Sequence, residues 1–260
     1  MGKSDIPTFD HTWSPALGCT FHDNGVCRDG MKCYAYSLFH RFAEKWPVVN
    51  NGFQPQWVEA WFNKPFPREQ SRIFITAMSD PADWDDACWT AIMGRIGISN
   101  RERNLKRLGL HQFFLLSKRP YEAYHGRTFP DNCYCGITVT NQKTLDDRFF
   151  NLGFELQNSY LYIEPLLGKI YDLKVAKFKS LKWVVVGGET GNKNGTIDMA
   201  NVVWLYIIAK KYGVPFYFKG VGGCKKITSI NGWDWVLDDF NNCPREFIPF
   251  AISAMRMVIK

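Results

Sequence analysis

Three cysteines, Cys19, Cys27 and Cys33, stand in a glycine-rich tract, TWSPALGCTFHDNGVCRDGMKCYAYSLFHRF, just before an amphipathic run that begins near Tyr34. Thiolates spread over such a loop can converge on one point, because neither helix nor strand geometry opposes them. Three thiolates serve three irons of a [4Fe–4S] cube and leave the fourth iron without a protein ligand. A structural zinc site instead takes four ligands, usually with one tight C-x2-C pair, whereas the spacings here are C-x7-C and C-x5-C. His22 is the neighbouring residue that could complete a zinc set. Plain burial of unligated thiols is the third account, and the polarity of the surrounding loop speaks against it.

The other five cysteines are Cys88, Cys133, Cys135, Cys224 and Cys243. In a reducing compartment they do not form a disulfide framework. Cys133 and Cys135 flank Tyr134 on a strand, so they share one face and are expected to pack in the core. Cys224, beside Gly222 and Gly223, is the one to read as a loop thiol.

The elements that must position this chemistry alternate in type. Short apolar, β-rich runs are predicted as strands at Ile73–Thr76, Phe113–Leu116, Cys135–Val139, Tyr160–Ile163, Trp183–Val186 and Pro215–Phe218. Helical patterns at Trp84–Arg95, Leu145–Leu152 and Met199–Tyr212 lie between them. This rhythm belongs to parallel βα units. Each strand ends in polar or glycine-rich residues: Ser79-Asp80, Ser117-Lys118-Arg119, Thr140-Asn141, Glu164-Pro165, Gly187-Gly188-Glu189 and Lys219-Gly220. In parallel α/β folds, chemistry gathers at the carboxyl ends of strands. The 260 residues suit a single α/β domain with an irregular insertion near residues 46–67 and a C-terminal cap after residue 224.

With 46% hydrophobic and 16% aromatic residues, the chain is far too apolar to be disordered. A formal charge of +7 points to an anionic partner such as nucleic acid, and the aromatics suit stacking on bases. No run of 18 apolar residues occurs and the first ten residues lack a signal-peptide core, so a cytoplasmic protein with no membrane partner is expected.

Across nearly its whole length the sequence resembles a phage and bacterial family of three-cysteine proteins, distant relatives of radical S-adenosylmethionine (SAM) enzymes and of spore photoproduct lyase. The resemblance rests on Thr12, Trp13, Pro15, Gly18, Cys19, Cys27, Cys33, Tyr34 and Ala35. Further blocks follow in the same order: AMSD at Ala77–Asp80, LLSKRP at Leu115–Pro120, GITVTNQ at Gly136–Gln142, EPLLG at Glu164–Gly168, WVVVGGETG at Trp183–Gly191 and FYFK at Phe216–Lys219. Where that family has two residues between its second and third cysteines, this chain has five, Arg28 to Lys32, which are expected to loop out.

The resemblance implies a partial (β/α)6-type TIM barrel with parallel strands, as in radical SAM enzymes. It implies a [4Fe–4S] cluster on Cys19, Cys27 and Cys33, with SAM on the open iron and reductive cleavage to a 5′-deoxyadenosyl radical. The expected substrate is a nucleic-acid base or nucleotide, the setting phage DNA modification in the host cytoplasm, and the electron donor a flavodoxin or ferredoxin. Ser79 and Asp80 are expected to meet the ammonium of SAM, although capping of the next helix uses the same residue types equally well. Lys118 and Arg119 would reach a substrate phosphate or the SAM carboxylate, with Lys219 in a similar place on the last strand. Thr138 and Thr140 would present two hydroxyls. Glu164 would bind the ribose hydroxyls or substrate, and Gly187, Gly188 and Glu189 would admit the adenine. That glycine block is not a dinucleotide fingerprint, since G-x-G-x-x-G is missing. Two rival readings are a zinc-stabilised nucleic-acid-binding protein, and a barrel enzyme without a radical that uses Asp80, Glu164 and Glu189 as acid and base groups.

Overall fold

The computed structural model describes residues 2–4, 6–189 and 197–220, with the backbone of two short strands at Ser229–Ile230 and Trp233–Asp234. The remainder of the expected C-terminal cap, including Cys224 and Cys243, and Thr190-Gly191 of the glycine block lie outside the described residues.

Eight strands make one sheet: β1 (Gly2–Lys3), β2 (His11–Thr12), β3 (Arg72–Phe74), β4 (Gln112–Ser117), β5 (Cys133–Thr138), β6 (Ser159–Ile163), β7 (Trp183–Gly187) and β8 (Phe216–Gly220). They lie side by side in chain order. β1 runs antiparallel to β2, whereas β2–β3, β3–β4, β6–β7 and β7–β8 are parallel. The α/β class and the mostly parallel sheet expected from the sequence are therefore present. The chain divides into two compact units, Met1–Cys135 and Gly136–Lys260, and the division falls inside β5.

In the first unit, helix α1 (Tyr34–Phe42) follows the third cysteine, and helix α2 (Asp86–Leu105) crosses from β3 to β4. α2 starts where Asp85 caps it by accepting from the Cys88 amide at 2.7 Å. It runs ten residues past the predicted end at Arg95, because its buried positions Trp89, Ile92, Ile96, Ser99 and Arg103 keep alternating steps of three and four. Arg103 is buried yet satisfied, donating to the carbonyls of Gly109 and Arg68. The insertion near 46–67 is ordered: Gln56–Trp57 pairs with Ala16–Leu17, and a short helix spans Glu59–Phe62. It covers Trp13, whose indole donates to the carbonyls of Trp61 and Phe62 and whose ring meets Phe66 edge-on.

In the second unit, all five residues of β7 are buried, as a parallel strand covered on both faces requires. Its core joins Ile137, Leu161, Ile163, Val184, Val186, Leu205 and Phe218. The helix predicted at Leu145–Leu152 begins instead at Gln142, since Asn141 and Thr144 form a reciprocal cap, and it continues as a π turn over Asp146–Phe150. Helix α3 (Met199–Lys211), capped by Asp198, crosses from β7 to β8 and ends one residue before its predicted limit. The Glu164–Pro165 peptide is cis.

Candidate functional site

The cysteine tract is held by its glycines. Gly18 bridges Ser79 in parallel fashion and donates to the Met78 carbonyl at 2.9 Å, which seats the chain beside the end of β3. Its φ of 97° is left-handed, and a Cβ there would come within 2.2 Å of the Gln54 carbonyl oxygen, so only glycine fits. Beyond Cys19, His22–Asp23 and Val26–Cys27 form a two-residue hairpin. The extra residues between Cys27 and Cys33 do loop out: Val26 bridges Lys32, the Cys27 amide donates to Met31, and the Cys33 amide returns to the Gly25 carbonyl at 2.8 Å. Tyr34 then ties the start of α1 to the AMSD segment by donating to the Ala77 carbonyl.

All three thiols are free. Cys19 Sγ accepts the amide of Phe21 at 3.2 Å, and the Asp29 backbone favours the Cys27 thiolate. The first of these is a bond from residue i+2 back to the sulfur of residue i. The Cys19 thiol is nevertheless pushed up to about 12, by burial first and by the nearby Asp80 carboxylate second. Cys27 is raised by burial as well, against the pull of the Lys118 ammonium and with a further push from Cys33. Cys27 thus lies within electrostatic reach of both Cys33 and Lys118, and Cys19, Asp80 and Arg119 within reach of one another.

Among the described residues, no three His, Cys, Asp or Glu side chains are gathered as ligands around a single metal ion. A cubane gives each thiolate its own iron, so its sulfurs stand further apart than the ligands of one ion. The three free thiols lie on one backbone-tied loop, with Cys27 near Cys33 and Cys19 accepting an amide hydrogen, a donor set whose chemistry suits iron. His22 fits a fourth-ligand role poorly. Its Nδ1 accepts from the Gly25 amide at 3.4 Å, which places the proton of a neutral ring on Nε2, and that atom has no partner among the described residues.

Ser79 and Asp80 sit at the end of β3, where sequence reasoning placed them, but their side chains are engaged in the fold. Asp80 is buried and accepts from the amides of Ala82 and Lys118 and, at 2.7 Å, from the Ser117 hydroxyl. It caps the short helix Pro81–Asp83 and fastens the ends of β3 and β4 together. Ser79 accepts from the Trp84 indole. Arg119 turns toward the cysteine tract: it donates to Asp83 at 2.5 Å and to the Thr20 hydroxyl at 3.1 Å. Burial opposes its charge, yet Asp80 and Asp83 outweigh that and hold it protonated above the usual range. Thr20 donates to Asp83 through both its amide and its hydroxyl. Thr20 and Asp83 were missed by sequence reasoning. Thr20 adjoins the first cysteine and Asp83 lies three residues beyond Asp80, but only the fold brings either to Arg119.

In the second unit, Glu164 and Lys219 meet each other: Lys219 Nζ lies 2.6 and 2.7 Å from the two carboxylate oxygens, both side chains being largely buried. Gly187 lies beside them, and a Cβ there would press on the Glu164 carboxylate at 3.3 Å. Gly188 donates to the Gly220 carbonyl across the strand ends. Thr140 is taken up by the turn, its amide donating to the Thr144 hydroxyl, whereas the buried Thr138 hydroxyl has no partner among the described residues. Glu189 is half-buried beyond the end of β7.

The fold and tract define an α/β protein with a mostly parallel sheet and a cysteine loop seated at the end of its third strand. The chain belongs to the family described as "Protein of unknown function (DUF5131)", whose family model matches residues 3–244. Comparison with curated proteins and with solved structures gives no match.

Proposed function

We propose that this chain is a radical SAM enzyme built on a partial (β/α)6-type barrel, with Cys19, Cys27 and Cys33 holding a [4Fe–4S] cluster. The observation that carries the proposal is the backbone amide of Phe21 reaching back to the Cys19 sulfur two residues earlier, in a tract that the Gly25–Cys33 tie closes. Such bonds favour thiolate over thiol and tune a cluster's potential. When bound, cluster and SAM would supply reductive cleavage to a 5′-deoxyadenosyl radical that abstracts hydrogen from substrate.

The chain's own residues have more modest tasks. Gly18 and the Gly25–Cys33 tie fix where the sulfurs stand. Arg119 holds the Thr20 turn against Asp83 and so positions Cys19. Asp80 keeps Lys118 at the end of β4, where the ammonium adds positive potential near Cys27. Asp80 meets the SAM ammonium only by sharing a carboxylate that already has three donors. Within the second unit, Glu164, Thr138, Gly187, Gly188 and Glu189 are assigned to nucleoside groups by the resemblance, with Lys219 orienting the Glu164 carboxylate. The substrate is a nucleic-acid base or nucleotide, favoured by the net charge of +7. A flavodoxin or ferredoxin supplies the electron.

Anaerobic reconstitution with iron and sulfide tests this reading. About four irons and matching sulfide per chain are expected, together with release of 5′-deoxyadenosine when SAM and reductant are added. Both should vanish in Cys27→Ala. One zinc per chain with no iron uptake would overturn the proposal in favour of a zinc-stabilised nucleic-acid binder.

A further inference from the structure

Six lysines gather at the amino-terminal edge of β7 and β8 in the second unit: Lys174, Lys177, Lys179, Lys182, Lys210 and Lys211. Five are exposed and Lys177 is half-buried. Their placement follows from the connections, since the segment from Lys174 to Lys182 leads into β7 and the last turn of α3 leads towards β8. The Lys182 amide donates to Ser159 at the start of β6, which fixes this edge of the sheet.

Four of the six lysines lie over aromatic rings, and Lys174 and Lys177 also donate to Asn151 and to the Phe150 carbonyl. The ammoniums of Lys179 and Lys211 sit 4.8 and 5.3 Å from the centre of the Tyr212 ring, which brings them within about 10 Å of each other. Lys174 lies over Phe150 and Lys177 over Phe149, two rings that touch. None of the six has a carboxylate within ion-pair distance among the described residues. Glu155 is the acid whose field reaches Lys177, while Lys174 repels it. Like charges held this close without an ion-paired carboxylate form a standing positive field that an external anion relieves.

We infer that this lysine edge is a binding surface for the sugar–phosphate backbone of nucleic acid. Lysine is a point-charge partner for phosphate, and it is depleted from protein–protein interfaces, which favours nucleic acid over an acidic protein. The inference rests on the nucleic-acid part of the proposed function, but it needs neither cluster nor SAM, so the two fail separately.

The test is fluorescence anisotropy of the full-length protein, without iron or SAM, titrated against labelled 20-nucleotide single-stranded DNA and RNA between 50 and 200 mM salt. Binding should weaken steeply with salt. Neutralising four exposed lysines together (Lys179→Gln, Lys182→Gln, Lys210→Gln, Lys211→Gln) should weaken it at least tenfold and reduce the salt slope by up to about three. A control double variant, Lys143→Gln with Lys169→Gln, removes charge elsewhere and should change affinity less than threefold. Circular dichroism and thermal unfolding establish that the quadruple variant is folded. Absence of binding at 50 mM salt, equal losses in the quadruple and control variants, or equally tight binding of poly-L-glutamate would overturn the assignment.

Discussion

Arg119 donates to Asp83 at 2.5 Å from a position 36 residues away in sequence, and Asp83 in turn holds the amide and hydroxyl of Thr20, the residue after the first cysteine. A strand end, a capping turn and the cysteine tract are thereby locked through one carboxylate. Its side chain is only 7% exposed, so the arginine charge has no ready substitute in water.

Asp83→Asn is therefore expected to destabilise the folded chain by about 2 kcal/mol, because a partly buried guanidinium loses its charged partner. Urea unfolding measures this. The same variant should retain less iron after reconstitution, and wild-type stability together with wild-type iron content would remove the positioning role.

Gly18→Ala should be more damaging than an exposed glycine substitution. The left-handed backbone and the Gln54 carbonyl both reject a methyl group. A loss of at least about 2 kcal/mol is expected, read as a lower thermal midpoint, whereas Gly126→Ala, with open space around its Cβ position, should cost less.

His111 gives the fold an acid-sensitive point. Burial first, and the neighbouring Arg103 second, depress its pKa from 6.5 to about 4. The unfolded chain takes up a proton near 6.5 that the folded chain refuses until about 4, so stability is fully present above 6.5 and is lost as pH falls towards 4. Denaturation midpoints at pH 7 and pH 4.5 should differ by more in the wild type than in His111→Asn. An equal difference would mean that other groups govern acid unfolding.

The thiols respond at the other extreme. Cys19 and Cys88 are raised from 9.0 to about 12, burial being the leading cause for each. An unfolded thiol ionises near 9 while the folded one keeps its proton, so the apoprotein should lose stability between pH 9 and 12. Replacing Cys88 with alanine should shrink that loss. If Cys19 holds metal as proposed, loading must expel its proton, so uptake of cobalt as a probe should rise with pH from 6 to 8 and release acid.

Lys219→Met strands the largely buried Glu164 carboxylate and should cost about 2 kcal/mol. The double variant Lys219→Met with Glu164→Leu should recover part of that loss. Failure to recover, measured by denaturant unfolding, would show that neighbours of the pair carry the effect.

The parallel strands were legible because their apolar runs are short, β-rich and followed by polar ends; β6 and β7 match within a residue of the prediction. α2 was read too short because Ser99 and Arg103 occupy buried positions where the pattern demands an apolar residue, and Arg103 is tolerated there only through carbonyls that the chain supplies from elsewhere. The start of the helix at Gln142 was missed because a threonine stands at the third helical position where the usual box has an acid or amide. At the candidate site, residue types told where Asp80, Glu164 and Lys219 would lie. They did not tell that Asp80 would be taken up by Ser117 and Lys118 or that Glu164 and Lys219 would face one another, because each partnership joins segments far apart in sequence.

The turn from Arg28 to Lys32 hangs from a neck that closes above it, where Val26 meets Lys32 and Cys33 rejoins Gly25. Counting residues between the second and third cysteines consequently measures the pendant rather than the gap the sulfurs span. That pendant is a natural mooring for a spin label or fluorophore, one that reports on the tract without displacing any of its thiols.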